Sequence, residues 1–310
     1  MALRWRIAGV AGGLLLAATA QGVDTFKLCS QNTLHLGYSS SNQTKINSLQ
    51  AEFATCDVTL LQETMRRALD PPPTSVTPAV LPNGALRAVR PANVTIPPPP
   101  PPPIVPPTVY TWNIPFSDII GKTSYKESYA TIVLSKFPIF SDPTSGQVIF
   151  FPSATVAANF SRPPGAILIQ TGSTADKWTW LVNYHAIFGK SQRDREDEIK
   201  KMNDVATELA NMTIGTTGLK STRIIIVGDW NLDATNAAYN NLKTGTYLFQ
   251  VQPNVDTSLT TTGTPSEPYD HFAWSNSVTV TNPAVITPGN MVTWRNTVSD
   301  HMGISCTVDY

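Results

Sequence analysis

The stretch RIIIVGDWN, Arg223–Asn231, decides the reading of this chain. Four consecutive apolar residues, Ile224 to Val227, leave no alternation of polar and apolar positions, so both faces of the strand must be covered. Gly228 ends the run, and an acid and an amide follow at Asp229 and Asn231. A strand buried on both faces belongs inside a layered α/β structure. Polar groups just past its end lie where such sheets place ligands.

Working outward, Phe26–Asn32 reads as a first strand, and Ile46, Leu49 and Phe53 give helical spacing within Ser39–Thr55. Asp57–Gln62 reads as the next strand. Tyr129–Leu134, Ala166–Thr171 and Trp178–His185 are further strands. In the last of these, Trp178, Trp180, Val182 and Tyr184 share one face, and Leu181, Asn183 and His185 the other. Ser191–Asn211 has the clearest helical period, with a buried stripe of Ile199, Met202, Val205 and Leu209. Glu196/Lys200 and Asp197/Lys201 are expected as i,i+4 pairs along it. Asp270–Asn276, Val278–Thr281 and Met302–Asp309 complete a strand-rich second half. The pattern predicts an α/β sandwich of one or two mixed sheets.

The 310 residues carry 22 basic and 22 acidic groups. Residues 1–20, with Arg4 and Arg6, then the apolar run Ile7–Ala18 and Ala18-Thr19-Ala20, read as a cleaved signal peptide. Without them, residues 21–310 have a formal charge of −2. That balance excludes a nucleic-acid binder held by bulk charge. No later run is long enough to span a bilayer, so a secreted, extracellular monomer without a transmembrane segment is expected. Sequons at Asn42, Asn93, Asn159 and Asn211 offer N-glycan sites. Fifteen of the 26 prolines fall in 71–107, which reads as a disordered Pro-rich insert. Of Cys29, Cys56 and Cys306, two are expected to pair and one to stay free, in a combination the sequence leaves open.

The chemistry-bearing residues stand just past apolar strands. Asn32 ends the first strand and Glu63 the second, His185 ends LVNYH, and Asp229 and Asn231 follow RIIIVG. Ser299-Asp300-His301 precedes the last strand. Acids, an amide and imidazoles at one sheet rim suit a hard divalent cation, Mg²⁺ first, with Mn²⁺ or Ca²⁺ as alternatives.

In order, Asn32, Gln62-Glu63, Tyr125-Lys126-Glu127, Asn183-Tyr184-His185, Gly228-Asp229-Trp230-Asn231, Tyr269-Asp270 and Ser299-Asp300-His301 resemble the motifs of the endonuclease/exonuclease/phosphatase superfamily, the deoxyribonuclease I-like fold. The resemblance covers 21–310 apart from the Pro-rich insert. It implies a four-layer αββα sandwich of two mixed β-sheets and metal-dependent phosphodiester hydrolysis. It also implies roles. Glu63 would bind the metal, helped by Asn32 and Asp300. Asp229 would orient the attacking water and Asn231 would hold a phosphate oxygen. His301, steadied by Asp270, and His185, steadied by Glu127, would act on the phosphate and in proton transfer. His35 and His271 are read as structural or surface groups.

The stretch around Tyr125 resembles that of secreted deoxyribonucleases, which places Tyr125 among the catalytic candidates. Lys126, Lys190, Arg193 and Arg195 are candidates for backbone phosphates. Secreted deoxyribonucleases carry an arginine two residues after the metal-binding glutamate; here Met65 stands there, and Arg66 is the nearest substitute. The expected activity is an endonuclease on DNA, with RNA as a second polymer. A phospholipid phosphodiesterase of sphingomyelinase type is the alternative, supported by the apolar stretch Val148–Pro152 as a membrane-facing rim. A non-catalytic binding protein on the same fold is a third reading.

Overall fold

The computed structural model describes residues 25–36, 43–65, 90, 92–96, 108–119, 127–172, 177–189, 191–214 and 218–309. The stretch 1–20 read as a signal peptide, most of the Pro-rich segment, and Tyr125, Lys126, Lys190 and Arg66 lie outside them.

The decisive strand, β10 (Ile224–Asp229), is buried along its whole length, as its composition predicts. It lies at the centre of a five-stranded sheet ordered β11 (Gln250–Gln252), β12 (Asp270–Trp274), β10, β9 (Trp178–His185) and β8 (Gly165–Gln170). Its odd and even residues face different layers. Ile225 and Val227 pack with Leu181, Ile167 and Phe272 against the other sheet, while Ile224 and Ile226 pack with Trp180, Val182 and Tyr184 under helices.

The other sheet runs β13 (Thr279–Ile286), β14 (Gly303–Asp309), β1 (Thr25–Leu36), β2 (Val58–Met65), β7 (Glu127–Leu134) and β5 (Trp112–Asn113), with β6 (Phe116–Asp118) beside β7. β3 (Val94–Ile96) and β4 (Thr108–Tyr110) pair antiparallel as a separate two-stranded sheet. Both large sheets are mixed: β1 is parallel to β2 and antiparallel to β14, and β10 is parallel to β9 and antiparallel to β12. α1 (Gln43–Phe53) buries Leu49 and Phe53 on the first sheet. α2 (Ala154–Ala157) is a single turn. α3 (Gln192–Lys200) and α4 (Met202–Asn211) cover the second sheet through the predicted stripe Ile199, Met202, Val205 and Leu209. α5 (Asn240–Lys243) lies with them, and α6 (Met291–Thr297) packs Trp294 into the core of the first sheet. The result is helix, sheet, sheet, helix.

Three expectations change. The single helix over Ser191–Asn211 is two, because the backbone tightens to i→i−3 bonds at Lys201 and Asp204. With that break the expected ion pairs also shift: Asp197 meets Lys200 at 3.0 Å and Arg193 at 3.7 Å, and Lys201 turns to Asp204. Glu196 accepts instead from Gln192 and Asn236. Val148–Pro152 is no exposed rim: Ile149 and Phe150 are buried, and Val148 and Phe151 pack against the core. The cysteine question resolves as Cys29–Cys56, joining β1 to the turn between α1 and β2, with Cys306 free and buried in β14. Closing that loop stabilises the fold by roughly 3–4 kcal/mol. No helix among the described residues is long and apolar enough to cross a membrane.

Candidate functional site

Strand register brings the site together. In the second sheet Asp229 lies opposite His185 on one side and Asp270 on the other. Gly228 makes this possible: at φ 146° it passes so near β9 that a Cβ would meet the Tyr184 carbonyl oxygen at 1.9 Å. Asn183, one turn of the pleat from His185, crosses to the first sheet, where its Oδ1 accepts from Gln62 Nε2 at 2.7 Å. Its own amide donates to the Leu61 carbonyl. The two rims are thereby held face to face.

Asp229 Oδ2 is the meeting point. It accepts from Asn32 Nδ2 at 3.1 Å and faces His185 Nε2 at 3.6 Å and His301 Nε2 at 3.5 Å. Behind each imidazole stands an acid: His185 Nδ1 is 2.6 Å from Glu127 Oε1, and His301 Nδ1 is 2.7 Å from Asp270 Oδ2. Two acid–imidazole pairs thus flank one aspartate, and each acid fixes its ring so that Nε2 points toward Asp229. Burial alone would pull both histidines down. For His185, Glu127 and Asp229 outweigh that and leave it raised; for His301, Asp270, Asp229 and Asp300 hold it well above the ordinary range. Burial pushes Glu127 up, but the His185 and Arg162 charges and its hydrogen bonds leave it lowered. Asp270 is anchored by its N–H donating to Thr257 Oγ1 at 3.0 Å. Asn231, at φ 51°, donates its N–H to Asp229 Oδ1 and its Nδ2 to the Ala186 carbonyl.

Glu63 completes the set from the first sheet. Its Oε1 accepts from Asn32 Nδ2 at 3.2 Å, and His35 Nε2 lies 3.2 Å from its Oε2. His35 is therefore at the edge of the site, not a plain surface group. His271 is structural as read, with its ring nitrogens against the carbonyls of Pro253 and Leu232. Asp300 lines the same cleft of about 480 Å³ as Glu63, His185, Asp229, Asn231 and His301.

The donor set fits a hard divalent cation. Five acids gather here, and Glu63 Oε2, Glu127 Oε2 and Asp270 Oδ1 are buried without a hydrogen bond. His35 Nε2 stands 3.2 Å from Glu63 Oε2 and Arg162 Nη1 3.5 Å from Glu127 Oε2, while Asp270 Oδ1 has no such neighbour among the described residues, and acids gathered this closely call for further positive charge. Two sets of residues offer it a place. Asp229, Asp270 and His301 present ligand atoms within 4.8 Å of one another. That group is also a hydrogen-bonded acid–imidazole pair, whereas Glu63, Asn32 and Asp300 are all oxygen donors, the better match to Mg²⁺. Asn32 in this arrangement uses its amide N–H groups to clamp Glu63 and Asp229, with Oδ1 accepting from Leu34 N–H.

Three residues at the site escaped the sequence reading. Arg162 donates from Nε to the His185 carbonyl at 3.0 Å and to the Ala186 carbonyl, and places Nη1 3.5 Å from Glu127 Oε2. Its only signal was its place just ahead of β8, the strand beside the one ending in His185. Lys45 is buried in α1 and donates to the Leu34 carbonyl. Burial lowers it to about 8, opposed by the charges of Glu63 and Asp300, which places a cation behind both acids. Phe188 is 71% exposed and lines the cleft. Of the two helical arginines, Arg193 points to solvent, while Arg195 stands 6.0 Å from the Tyr269 ring at the cleft. Met65 is buried, so its side chain is withdrawn from any substrate.

Residues 29–301 match the family described as Endonuclease/Exonuclease/phosphatase family. A search of curated protein sequences finds no match. Among solved structures the fold is similar to ANGEL2, described as a 2′,3′-cyclic phosphatase, at 12% identity and TM-score 0.57, covering 92% of this chain and 95% of that one. It is similar to the human Nocturnin catalytic domain at 11% identity and TM-score 0.52, covering 92% and 94%. It also resembles a mannosyl-6-phosphatase from Bacteroides thetaiotaomicron at 12% identity and TM-score 0.51, covering 92% and all of that chain. At such identities these likenesses speak to the fold alone; the family match spans nearly the whole described chain. The chain belongs to the endonuclease/exonuclease/phosphatase family, whose members are phosphoesterases and nucleases.

Proposed function

We propose that the protein is a secreted, divalent-metal-dependent phosphodiesterase, an endonuclease acting on DNA and secondarily on RNA. The observation that carries this reading is the pair of acid-backed imidazoles on either side of Asp229, with Glu63 facing them across the same cleft. Phosphodiester cleavage needs a positioned water, a proton donor for the leaving oxygen, and positive charge at the crowded phosphorus. Asp229 is placed to orient the water. His301, held by Asp270, and His185, held by Glu127, are placed to donate to the phosphate and to the departing oxygen. Asn231 and Arg162 add neutral and charged N–H donors at the mouth. Glu63 and Asp300, with Asn32 beside them, would hold a divalent cation, which would supply the remaining charge neutralisation.

Secretion is supported by the leader in 1–20 and by the Cys29–Cys56 disulfide, which suits an oxidising compartment. The phospholipid alternative loses its support because Val148, Ile149, Phe150 and Phe151 of that stretch pack into the core. The test is a panel of Mg²⁺, Mn²⁺ and Ca²⁺ on supercoiled DNA, single-stranded DNA and RNA, with and without chelator, beside choline release from sphingomyelin liposomes. Chelator-sensitive nicking supports the reading. Choline release without nicking, or chelator-insensitive nicking, overturns it.

A further inference from the structure

We infer that Glu52, in its protonated form, is a positioning residue for His301 and acts through the side-chain amide of Gln31. The inference rests on the proposed role of His301.

Gln31 is fully buried in β1 and, as the neighbour of Asn32 along the strand, faces the opposite side of the first sheet. Its Nε2 donates to the His301 carbonyl at 3.1 Å and to the Asn32 carbonyl at 2.5 Å. Both partners are acceptors only, so the amide has one workable orientation, with NH₂ toward them and Oε1 turned away. That Oε1 is buried without a partner, and so is Glu52 Oε1. Both oxygens crowd the same spot above Gly303, where a Cβ would meet Glu52 Oε1 at 1.9 Å and Gln31 Oε1 at 2.9 Å. Residue 303 is glycine because these two side chains occupy its side-chain space.

Two buried acceptors set together repel and leave lone pairs unmet, a costly arrangement unless one of them carries a proton. Glu52 is the only one that can. A protonated Glu52 donates to Gln31 Oε1 and thereby satisfies both. No charge from α1, β1, β14 or α6 acts on it: burial alone moves the carboxyl, pushing it up to about 8. Lys45, on the same helix, is engaged with the Leu34 carbonyl, and Cys306 of β14 is a buried neutral thiol.

The consequence reaches the cleft through one backbone carbonyl. His301 O accepts from Gln31 Nε2 and from Trp294 Nε1 at 2.8 Å. The His301 N–H donates to Ser299 Oγ at 3.1 Å. Once Glu52 ionises, the carboxylate attracts the amide's NH₂. A turned Gln31 presents an oxygen to the His301 carbonyl, and one of the two donors holding that residue is lost. Protons can reach Glu52 from outside, because Glu52 lines a separate cleft of about 410 Å³ between α1 and α6.

Three proteins test this: wild type, Glu52→Gln and Glu52→Leu. Glutamine keeps a donor for Gln31 Oε1 and cannot ionise; leucine keeps the volume and has no donor. The first readout is NMR of the Gln31 side-chain NH₂ and the His301 backbone amide from about pH 6 to about pH 10. The Gln31 NH₂ should titrate in wild type with a midpoint of about 8 and stay flat in Glu52→Gln, and the His301 amide, which also senses its own ring, should lose only that step. The second is steady-state hydrolysis with Mg²⁺. Glu52→Leu should lower kcat about tenfold with KM nearly unchanged, and Glu52→Gln should rescue kcat and remove the alkaline fall. Resonances that do not move in wild type, or equal kcat in the two variants, overturn the inference. A wild-type protein that hydrolyses no phosphodiester would sink the proposed function instead, and the NMR titration then decides the relay by itself.

Discussion

The two sheets deliver their halves of the site by different means. On the rim of the second sheet, His185, Asp229 and Asp270 end neighbouring strands and stand opposite one another in an unbroken ladder. On the rim of the first, the ladder is irregular: β1 and β2 shift register between Asn32 and Leu36, and β2 and β7 between Leu61 and Thr64. Leu34, His35 and Glu63 there have φ values of 40°, 65° and 52°. Irregular strand ends re-aim side chains at the cost of conformational strain. His185, Asp229 and Asp270, the part of the acid–base set on this rim, are thus fixed by continuous hydrogen bonding, and the half offered to a cation is held by bent backbone. A rigid frame suits proton transfer, which tolerates little misplacement, whereas a coordination shell can adapt to its ion.

The largest expected effect lies on the regular rim. Asp229→Ala should lower kcat/KM by about a thousandfold or more, because it removes the group that both imidazoles and Asn32 address. Plasmid nicking within tenfold of wild type, in a variant whose circular dichroism and Tm are unchanged, would break the assignment of chemistry to this rim. On the irregular rim, Glu63→Gln should weaken Mg²⁺ binding by about 10–100-fold and abolish the Mg²⁺-dependent rise in Tm. An undiminished rise would move the cation to Asp229, Asp270 and His301.

How far the site was legible follows from the same contrast. Glu63, His185, Asp229, Asn231, Asp300 and His301 line one cleft, with Asn32, Glu127 and Asp270 hydrogen-bonded behind them, because each stands at or beside a strand end that hydrophobic pattern marks. β10 was legible for the same reason: Ile224 to Val227 admit no exposed face. Arg162 and Lys45 were not, since an arginine before a strand and a lysine in a helix usually serve as solvated charges, and only tertiary packing buries them. The break at Lys201 was equally hidden, because the apolar stripe continues in phase across it. Gln31 and Glu52 carried no signal at all. A buried amide facing a buried acid is visible only once β1, α1 and β14 are packed.

Gly228→Ala attacks the regular ladder directly. Its φ of 146° and the Tyr184 carbonyl at 1.9 Å from any Cβ leave no room, so β10 must part from β9. A loss of roughly 3 kcal/mol or more in urea unfolding is expected. A smaller, pH-dependent effect is expected from Glu52. Its folded carboxyl sits at about 8 against an ordinary 4.5, so between those values the folded protein holds a proton that the unfolded chain has released. Stability contributed by this group therefore falls as pH rises from about 5 to about 8, and is level above that. Glu52→Gln should flatten that part of the Tm-versus-pH profile. An unchanged slope would place the ionisation elsewhere.

The smallest effect should come from Leu34→Gly, and its size is the sharpest test of the contrast. At an ordinary strand position, replacing leucine by glycine destabilises through lost packing and a more flexible unfolded chain. Leu34 is at φ 40°, where glycine is at ease and a leucine is strained by roughly 1 kcal/mol. Its side chain is only partly buried, so little packing is lost, and its carbonyl, which accepts from Lys45, is retained. Relief of strain and loss of contacts should nearly cancel, leaving urea unfolding within about 1 kcal/mol of wild type. A loss as large as that of Gly228→Ala would mean that the two rims are equally rigid, and that the bend at Glu63 is held by packing and not by a tolerant backbone.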